Sequence, residues 1–229
     1  TIMVPVLVLL GVSVKVAAPA SLVAIMGTSL GGLRRLYREG FVRVRLAAVL
    51  EAASVAGAAV GAYVFGFIGE RILEAVLGAA LILSSFLIAV RARLGSGRAE
   101  GRPVGLRAGP SRLAAALAAS FAAGAASAML GIGGGVIKVP VMVLILGLPM
   151  HVAVSTSKLM VGITAATGVI EHAYFGRVEW LLGLLLLVGT FVGARTSARI
   201  LISLPEWLLR IIAAGYYIFV GATILVRAL

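Results

Sequence analysis

Seven stretches of this chain are almost free of charge and reach, or come near, the ~20 residues needed to cross a bilayer. They are Lys15–Leu33, Leu46–Ile68, Ile72–Val90, Leu113–Leu130, His151–Tyr174, Trp180–Ile202 and Trp207–Val226. No ordinary soluble domain is this apolar: 62% of the 229 residues are hydrophobic and the mean hydropathy is +1.16. The spacing therefore predicts an all-α polytopic protein of the cell membrane, with the lipid bilayer as its first partner. Thr1–Leu10 is apolar but too short to span.

The charges lie between the runs. Arg34–Arg45 holds five arginines and one acid, and Arg91–Arg112 holds six arginines. A net charge of +12 would suit nucleic acid, but this distribution is the one that membrane topology produces. No nucleic-acid-binding motif or aromatic-basic interleaving is present, so no nucleic-acid partner is expected. Cysteine is absent, which excludes disulfides and thiolate metal sites. With no Asp, two His and no paired carboxylates, the residues point away from an enzyme, and no cofactor or metal is expected.

One run is interrupted. Gly131, Gly133, Gly134 and Gly135 fall in the segment GIGGGVIKVP, inside the long apolar region Leu113–Leu148. Glycine loses the most backbone entropy on ordering, so a helix breaks here. A break inside a bilayer is tolerated only where protein or a wet cavity satisfies the backbone. A second short helix is expected from Val136 to Leu148, its positive dipole end aimed into the break. Lys138 adds a full charge less than one turn later. A lysine near a span's centre costs ~2.5–3.5 kcal/mol on insertion scales, so it calls for a partner or a ligand. Together these features read as a substrate site for an anion at membrane depth; close helix packing is the other use of such glycines.

The polar segment 91–112 divides the chain into residues 1–90 and 113–229, and the two parts repeat. Val4-Pro5 matches Val139-Pro140. Gly11, Ala20-Ser21, Gly40, Gly57 and Glu70 match Gly147, Thr156-Ser157, Gly176, Gly193 and Glu206 at a constant spacing of 136. On this reading 1–90 is a first repeat lacking its first span and glycine motif, and a span plus break would precede Thr1. Charge bias reverses between the parts, which argues for inverted repeats, as in many secondary transporters. Parallel repeats with a re-entrant short helix are the other arrangement.

At this point the chain resembles the TauE/SafE sulfite exporter family. The resemblance is carried by Gly131–Pro140, by Ala153-Val-Ser-Thr-Ser157 and by Gly176-Arg-Val178, and it covers nearly the whole length. It implies a transporter of sulfite or small organosulfonate anions. In the first part the glycine motif is missing and Pro19-Ala20-Ser21 stands in place of the Ser-Thr-Ser version.

Oxygen-rich anions need N–H donors, hydroxyls and one or two positive charges. The substrate-binding candidates are therefore Gly131, Gly133, Gly134, Gly135, Lys138, Ser155, Thr156, Ser157 and Lys158. Lys138 and Lys158 are two of only three lysines. Lysine snorkelling and hydroxyl back-bonding are the plain alternatives. Glu51 lies inside a span and, with Glu171 and His172, forms the set of proton-coupling candidates. The expected function is a secondary exporter working by alternating access, with proton coupling as an open feature. A passive anion channel, or a transporter for another small anion, are the alternatives. Small-xxx-small faces at Gly57/Gly61 and Gly189/Gly193 permit a homodimer and serve equally within one bundle.

Overall fold

A chain this apolar satisfies its backbone only by coiling it into helices, and the computed structural model is helical throughout the described residues. It describes residues 3–38, 42–93, 109–201, 215–216 and 218–226. The elements are α1 (Met3–Leu9), α2 (Val14–Arg38), α3 (Val44–Phe65), α4 (Glu70–Arg93), α5 (Pro110–Leu130), α6 (Gly135–Pro140), α7 (Met150–Tyr174) and α8 (Trp180–Leu201). A last helical stretch covers 218–226. Val44–Phe65, Pro110–Leu130 and Val152–Tyr174 are long and apolar enough to cross a membrane; Val14–Leu30 and Trp180–Gly193 are shorter apolar segments.

Two boundaries differ from the sequence expectation. The basic stretch expected as a loop from Arg34 is helical as far as Arg38. Arginine is a good helix former, and charge alone does not stop a helix that has begun in lipid. Likewise α4 runs on to Arg93 and α5 starts at Pro110, so both ends of the expected linker 91–112 are helical. Pro110 suits the first turn, where its missing N–H is one of the unpaired ones anyway. The core of that linker, 94–108, lies outside the described residues, as do Glu206, Trp207 and Arg210.

Packing follows the small residues. A Cβ on Gly57 would overlap the Phe121 carbonyl, one on Gly61 the Ala125 carbonyl, and one on Gly124 the Ser54 carbonyl. Here α3 and α5 touch backbone to backbone, the close approach that drives association where lipid removes the hydrophobic incentive. α2 and α7 run antiparallel: Ser29 faces Gly162 while Leu22 faces Gly168. α3 and α7 run in the same direction, with Arg43 against Thr156 at one end and Phe65 against His172 at the other. α2 packs on α8, where Thr190 Oγ1 donates to the Ala24 carbonyl at 2.9 Å.

Two apolar clusters fill the ends of the bundle. Val4, Leu7, Phe65, Leu73, Leu77, Leu130 and Ile224 form one. Leu46, Leu50, Val141, Met142, Leu146 and Met160 form the other. The outer face of α8 presents Leu181, Leu184, Leu185, Val188 and Val192 outward, the inside-out pattern of a helix facing lipid. The helix starts also recur: α2 and α7 begin at Val14 and Met150, and α3 and α8 at Val44 and Trp180. Both pairs are 136 residues apart, the spacing of the sequence matches.

Candidate functional site

The glycine break is real. α5 ends at Leu130, and Gly131, Gly133 and Gly134 take φ values of +63°, +81° and +63°, a region that side-chain-bearing residues rarely adopt. Gly131 closes α5 as a left-handed cap, its N–H donating to the Ser127 carbonyl at 2.9 Å. The Ser21 hydroxyl of α2 donates to the Gly131 carbonyl at 2.6 Å, which pins the break from across the bundle. The glycines are tightly enclosed. Gly131 lies against Ala18, Gly133 between Ile25 and Val161, Gly134 against Ala123 and Ser127, and Gly135 against Val161 and Ser157. The hydroxyls of Ser120 and Ser127 are buried, and neither has a hydrogen-bond partner.

α6 is a six-residue helix that passes through Pro140 into a π-helical segment, Val141–Ile145. Pro140 has no N–H to continue the ladder, and the chain widens instead of stopping. Leu146 N–H bonds the Val141 carbonyl at 3.3 Å and Leu148 N–H the Met142 carbonyl at 3.0 Å. The expected single helix from Val136 to Leu148 is thus two pieces of different pitch.

Lys138 sits in the short piece, and its ammonium group is wholly buried. It pairs with Glu51 of α3: Nζ to Oε2 is 2.9 Å, with side-chain exposures of 0% and 4%. The Thr164 hydroxyl of α7 touches both partners, accepting from Lys138 Nζ and donating to Glu51 Oε1. Ser54 Oγ completes the cluster at 3.2 Å from Thr164 Oγ1. Three separate elements thus meet at one ion pair. Removing either charge would leave the other unpaired in a low-dielectric interior.

The remaining candidates scatter. Ser155, Thr156 and Ser157 are all buried. Thr156 Oγ1 accepts from the Arg43 N–H at 3.1 Å, tying the start of α3 to α7, and Ser157 borders Gly135. Lys158 is exposed and stands apart from the Lys138 cluster. Glu171 and His172 do not pair. His172 is fully buried, with Nε2 3.0 Å from the Ala128 carbonyl and its ring edge-on to Phe65 at 4.8 Å. Its Nδ1 has no partner. Among the described residues no three His, Cys, Asp or Glu side chains gather as metal ligands would.

Thr164, Ser54 and Ser21 escaped the sequence reading. Their one advance signal is position: Ser54 lies one turn after Glu51, so the two share a face of α3. Nothing in the sequence marks Thr164 above the other hydroxyls in spans; Ser21 is marked as the repeat counterpart of Ser157 but not as a site residue.

A charge pair inside a glycine-broken bundle of apolar helices defines a class: a multi-pass helical membrane protein with a polar centre. The family model described as sulfite exporter TauE/SafE matches residues 1–224, and the chain belongs to that family of membrane transporters. A similar protein is the "Probable membrane transporter protein YunE" of Bacillus subtilis (strain 168), 38% identical over 77 residues. That match spans 34% of this chain and 28% of the relative. No solved structure matches the chain.

Proposed function

We propose that this protein is a secondary transporter that exports sulfite or a small organosulfonate anion by alternating access, with a proton as its coupling ion. The observation that carries the reading is the buried Lys138–Glu51 pair bridged by Thr164. Bare charges at membrane depth are rare and mark ion or substrate pathways. In the paired state the site is neutral and closed. An oxyanion reaching Lys138 takes the place of the Glu51 carboxylate, offering the same acceptor oxygens. Glu51 is then left without its cation, and a proton restores neutrality. Ser127, Ser155 and Ser157, together with the backbone of Gly131, Gly133, Gly134 and Gly135, supply the polar lining. Lys158, being exposed, would attract the anion rather than hold it.

Alternating access needs two related arrangements of one scaffold, and an inverted repeat supplies them. The matched helix starts at a spacing of 136 support such a repeat. So does the antiparallel packing of α2 on α7, since two copies related by an axis in the membrane plane must run in opposite senses. The pairings α2 with α8 and α7 with α3 then exchange into each other. On this reading residues 1–90 and 113–229 are the two repeats. The arginines at the end of α2 (Arg34, Arg35, Arg38), the start of α3 (Arg43, Arg45), the end of α4 (Arg91, Arg93) and the start of α5 (Arg112) favour a cytoplasmic location for that end of the bundle.

The test is flux of labelled sulfite in proteoliposomes, with and without an imposed proton gradient. Saturable flux that follows the gradient is the expected result. Flux that is linear in concentration and blind to the gradient would make the protein a passive anion channel. No flux of sulfite or of any sulfonate refutes the substrate class.

A further inference from the structure

At the end of the bundle away from the arginine clusters lies a cavity of about 340 Å³. Its walls include Lys15 at the start of α2, Phe65 and Gly66 at the end of α3, and Arg177 and Glu179 between α7 and α8. Arg177 is held there by several independent contacts. Its Nη1 donates to the Ala62 carbonyl at 2.7 Å. Its guanidinium lies 4.4 Å from the Phe175 ring centre and 5.8 Å from that of Phe65. A Cβ on Gly66 would overlap the guanidinium, so the bare glycine is what admits it. Among the described residues Arg177 has no carboxylate partner, and one bond to Ala62 leaves most of its five N–H donors unspent.

Exposed aromatic side chains surround this end. Tyr63, Phe67, Tyr174, Phe175 and Trp180 all face outward, the composition of a belt at the membrane–water boundary. The cavity therefore sits at headgroup level. It presents the held guanidinium of Arg177 and the exposed ammonium of Lys15 against one acid, Glu179, which is exposed. Arg177 lies beside Ala62, eleven residues along α3 from Glu51, so about 16 Å separates this cavity from the buried ion pair.

We infer that the Lys15–Arg177 cavity is a second, peripheral oxyanion site on the extracytoplasmic face, taking a sulfite, sulfonate or phosphate group. The guanidinium offers a planar fork suited to two oxygens, and Lys15 a mobile point charge for a third. Two sources share that chemistry: a small oxyanion leaving the transport path, and the phosphate of a membrane phospholipid. The assignment rests on the proposed transport function only for the first source and for the face.

The rival account is that Arg177 merely caps the carbonyl end of α3. Lys15 separates the two, since among the described residues no hydrogen bond joins its side chain to α3. The experiment uses the purified full chain in detergent. Methanesulfonate and sulfite are titrated calorimetrically, and native mass spectrometry reads retained phosphatidylglycerol. Lys15→Gln is expected to weaken oxyanion binding or lipid retention about 5-fold while leaving the ligand-free melting temperature unchanged. Arg177→Gln should weaken it further and also lower that temperature. Loss of the small-anion heat assigns a solute site; loss of retained lipid alone assigns a headgroup site. Unchanged anion affinity together with unchanged lipid retention in both variants overturns the inference. The readout is binding rather than flux, so that outcome leaves the transport reading standing. Absent flux with binding intact refutes the transport reading alone.

Discussion

The strongest consequence of the Lys138–Glu51 pair is that its two members cannot be removed separately without loss of stability. Lys138→Met leaves a buried carboxylate facing only the Thr164 hydroxyl. Its penalty has a ceiling, because the orphaned group can take up a proton. For a carboxyl of ordinary solution pKa about 4.3, that costs about 3.7 kcal/mol at pH 7. Glu51→Leu leaves an ammonium, and neutralising an ordinary lysine at pH 7 costs about 4.6 kcal/mol. Each single variant should thus lose about 3–5 kcal/mol, the range seen when one partner of a buried pair is deleted. The double variant Lys138→Met/Glu51→Leu leaves no charge behind and should lose only about 1–2 kcal/mol, for imperfect packing around Thr164. The coupling energy is then at least ~4 kcal/mol. In thermal unfolding followed by circular dichroism in detergent, each single should melt roughly 6–20 °C below the parent, and the double within a few degrees of it. Acid should narrow the gap for Lys138→Met, since at pH 5 the proton-uptake ceiling falls to about 1 kcal/mol. Additive losses across the cycle, or a Lys138→Met penalty indifferent to pH, would show that the two groups do not neutralise each other. A flux assay on Lys138→Ala meets the same loss of stability. That variant must be compared with the charge-free double, so that lost transport is not mistaken for lost fold.

Two further predictions test the scaffold. Gly124→Val drives a side chain into the Ser54 carbonyl and should cost at least about 3 kcal/mol. Gly189→Val meets nothing within 4 Å and should melt with the parent protein in the same assay. Because the chain has no cysteine, single cysteines report orientation. In intact cells, Glu179→Cys should react with a membrane-impermeant maleimide and Arg112→Cys should not. The opposite pattern would reverse the proposed topology.

Much of the fold was legible because a bilayer allows so few solutions. Apolar runs of span length become helices, and their ends shift where Arg34–Arg38, Arg91–Arg93 or Pro110–Arg112 prolong a helix beyond the apolar stretch. The break at Gly131–Gly134 was legible for the same reason, since glycines that cluster in a span have no helical purpose. Pairing was not legible. Lys138 and Glu51 are conspicuous one at a time, yet 87 residues separate them and no periodicity tells which faces meet. Lys138 and Lys158 look alike in sequence; only tertiary packing buries the first and exposes the second. Thr164 was invisible because hydroxyls are ordinary in spans, where the backbone usually absorbs them. What distinguishes Thr164 is that two charges converge on it.

The proposed repeat sharpens what the charge pair means. Shifted by 136 residues, Thr164 falls on Thr28 and Glu51 on Leu187; aligned through Val4-Pro5 and Val139-Pro140, Lys138 falls on Met3. Thr28 spends its hydroxyl on the Ile25 carbonyl of its own helix at 2.8 Å. On the proposed repeat the scaffold is duplicated, while the ionic centre occurs at one of its two equivalent places. The mirrored position carries apolar side chains where the pair would be. A symmetric scaffold explains how the bundle could adopt inward- and outward-facing states of similar energy, since each is the other with the repeats exchanged. With an asymmetric centre, the proposed mechanism requires one ion pair to serve both states. Lys138 lies on a six-residue helix bounded by glycines on one side and a proline with a π-helical turn on the other, the least regular stretch of the described backbone. Glu51 and Thr164 lie on long, uninterrupted helices packed against each other. The irregular element is the one suited to shift, and it carries the cation. On the proposed mechanism, an anion that displaces Glu51 would loosen the tie between the broken helix and the rest of the bundle, linking occupancy of the site to its opening.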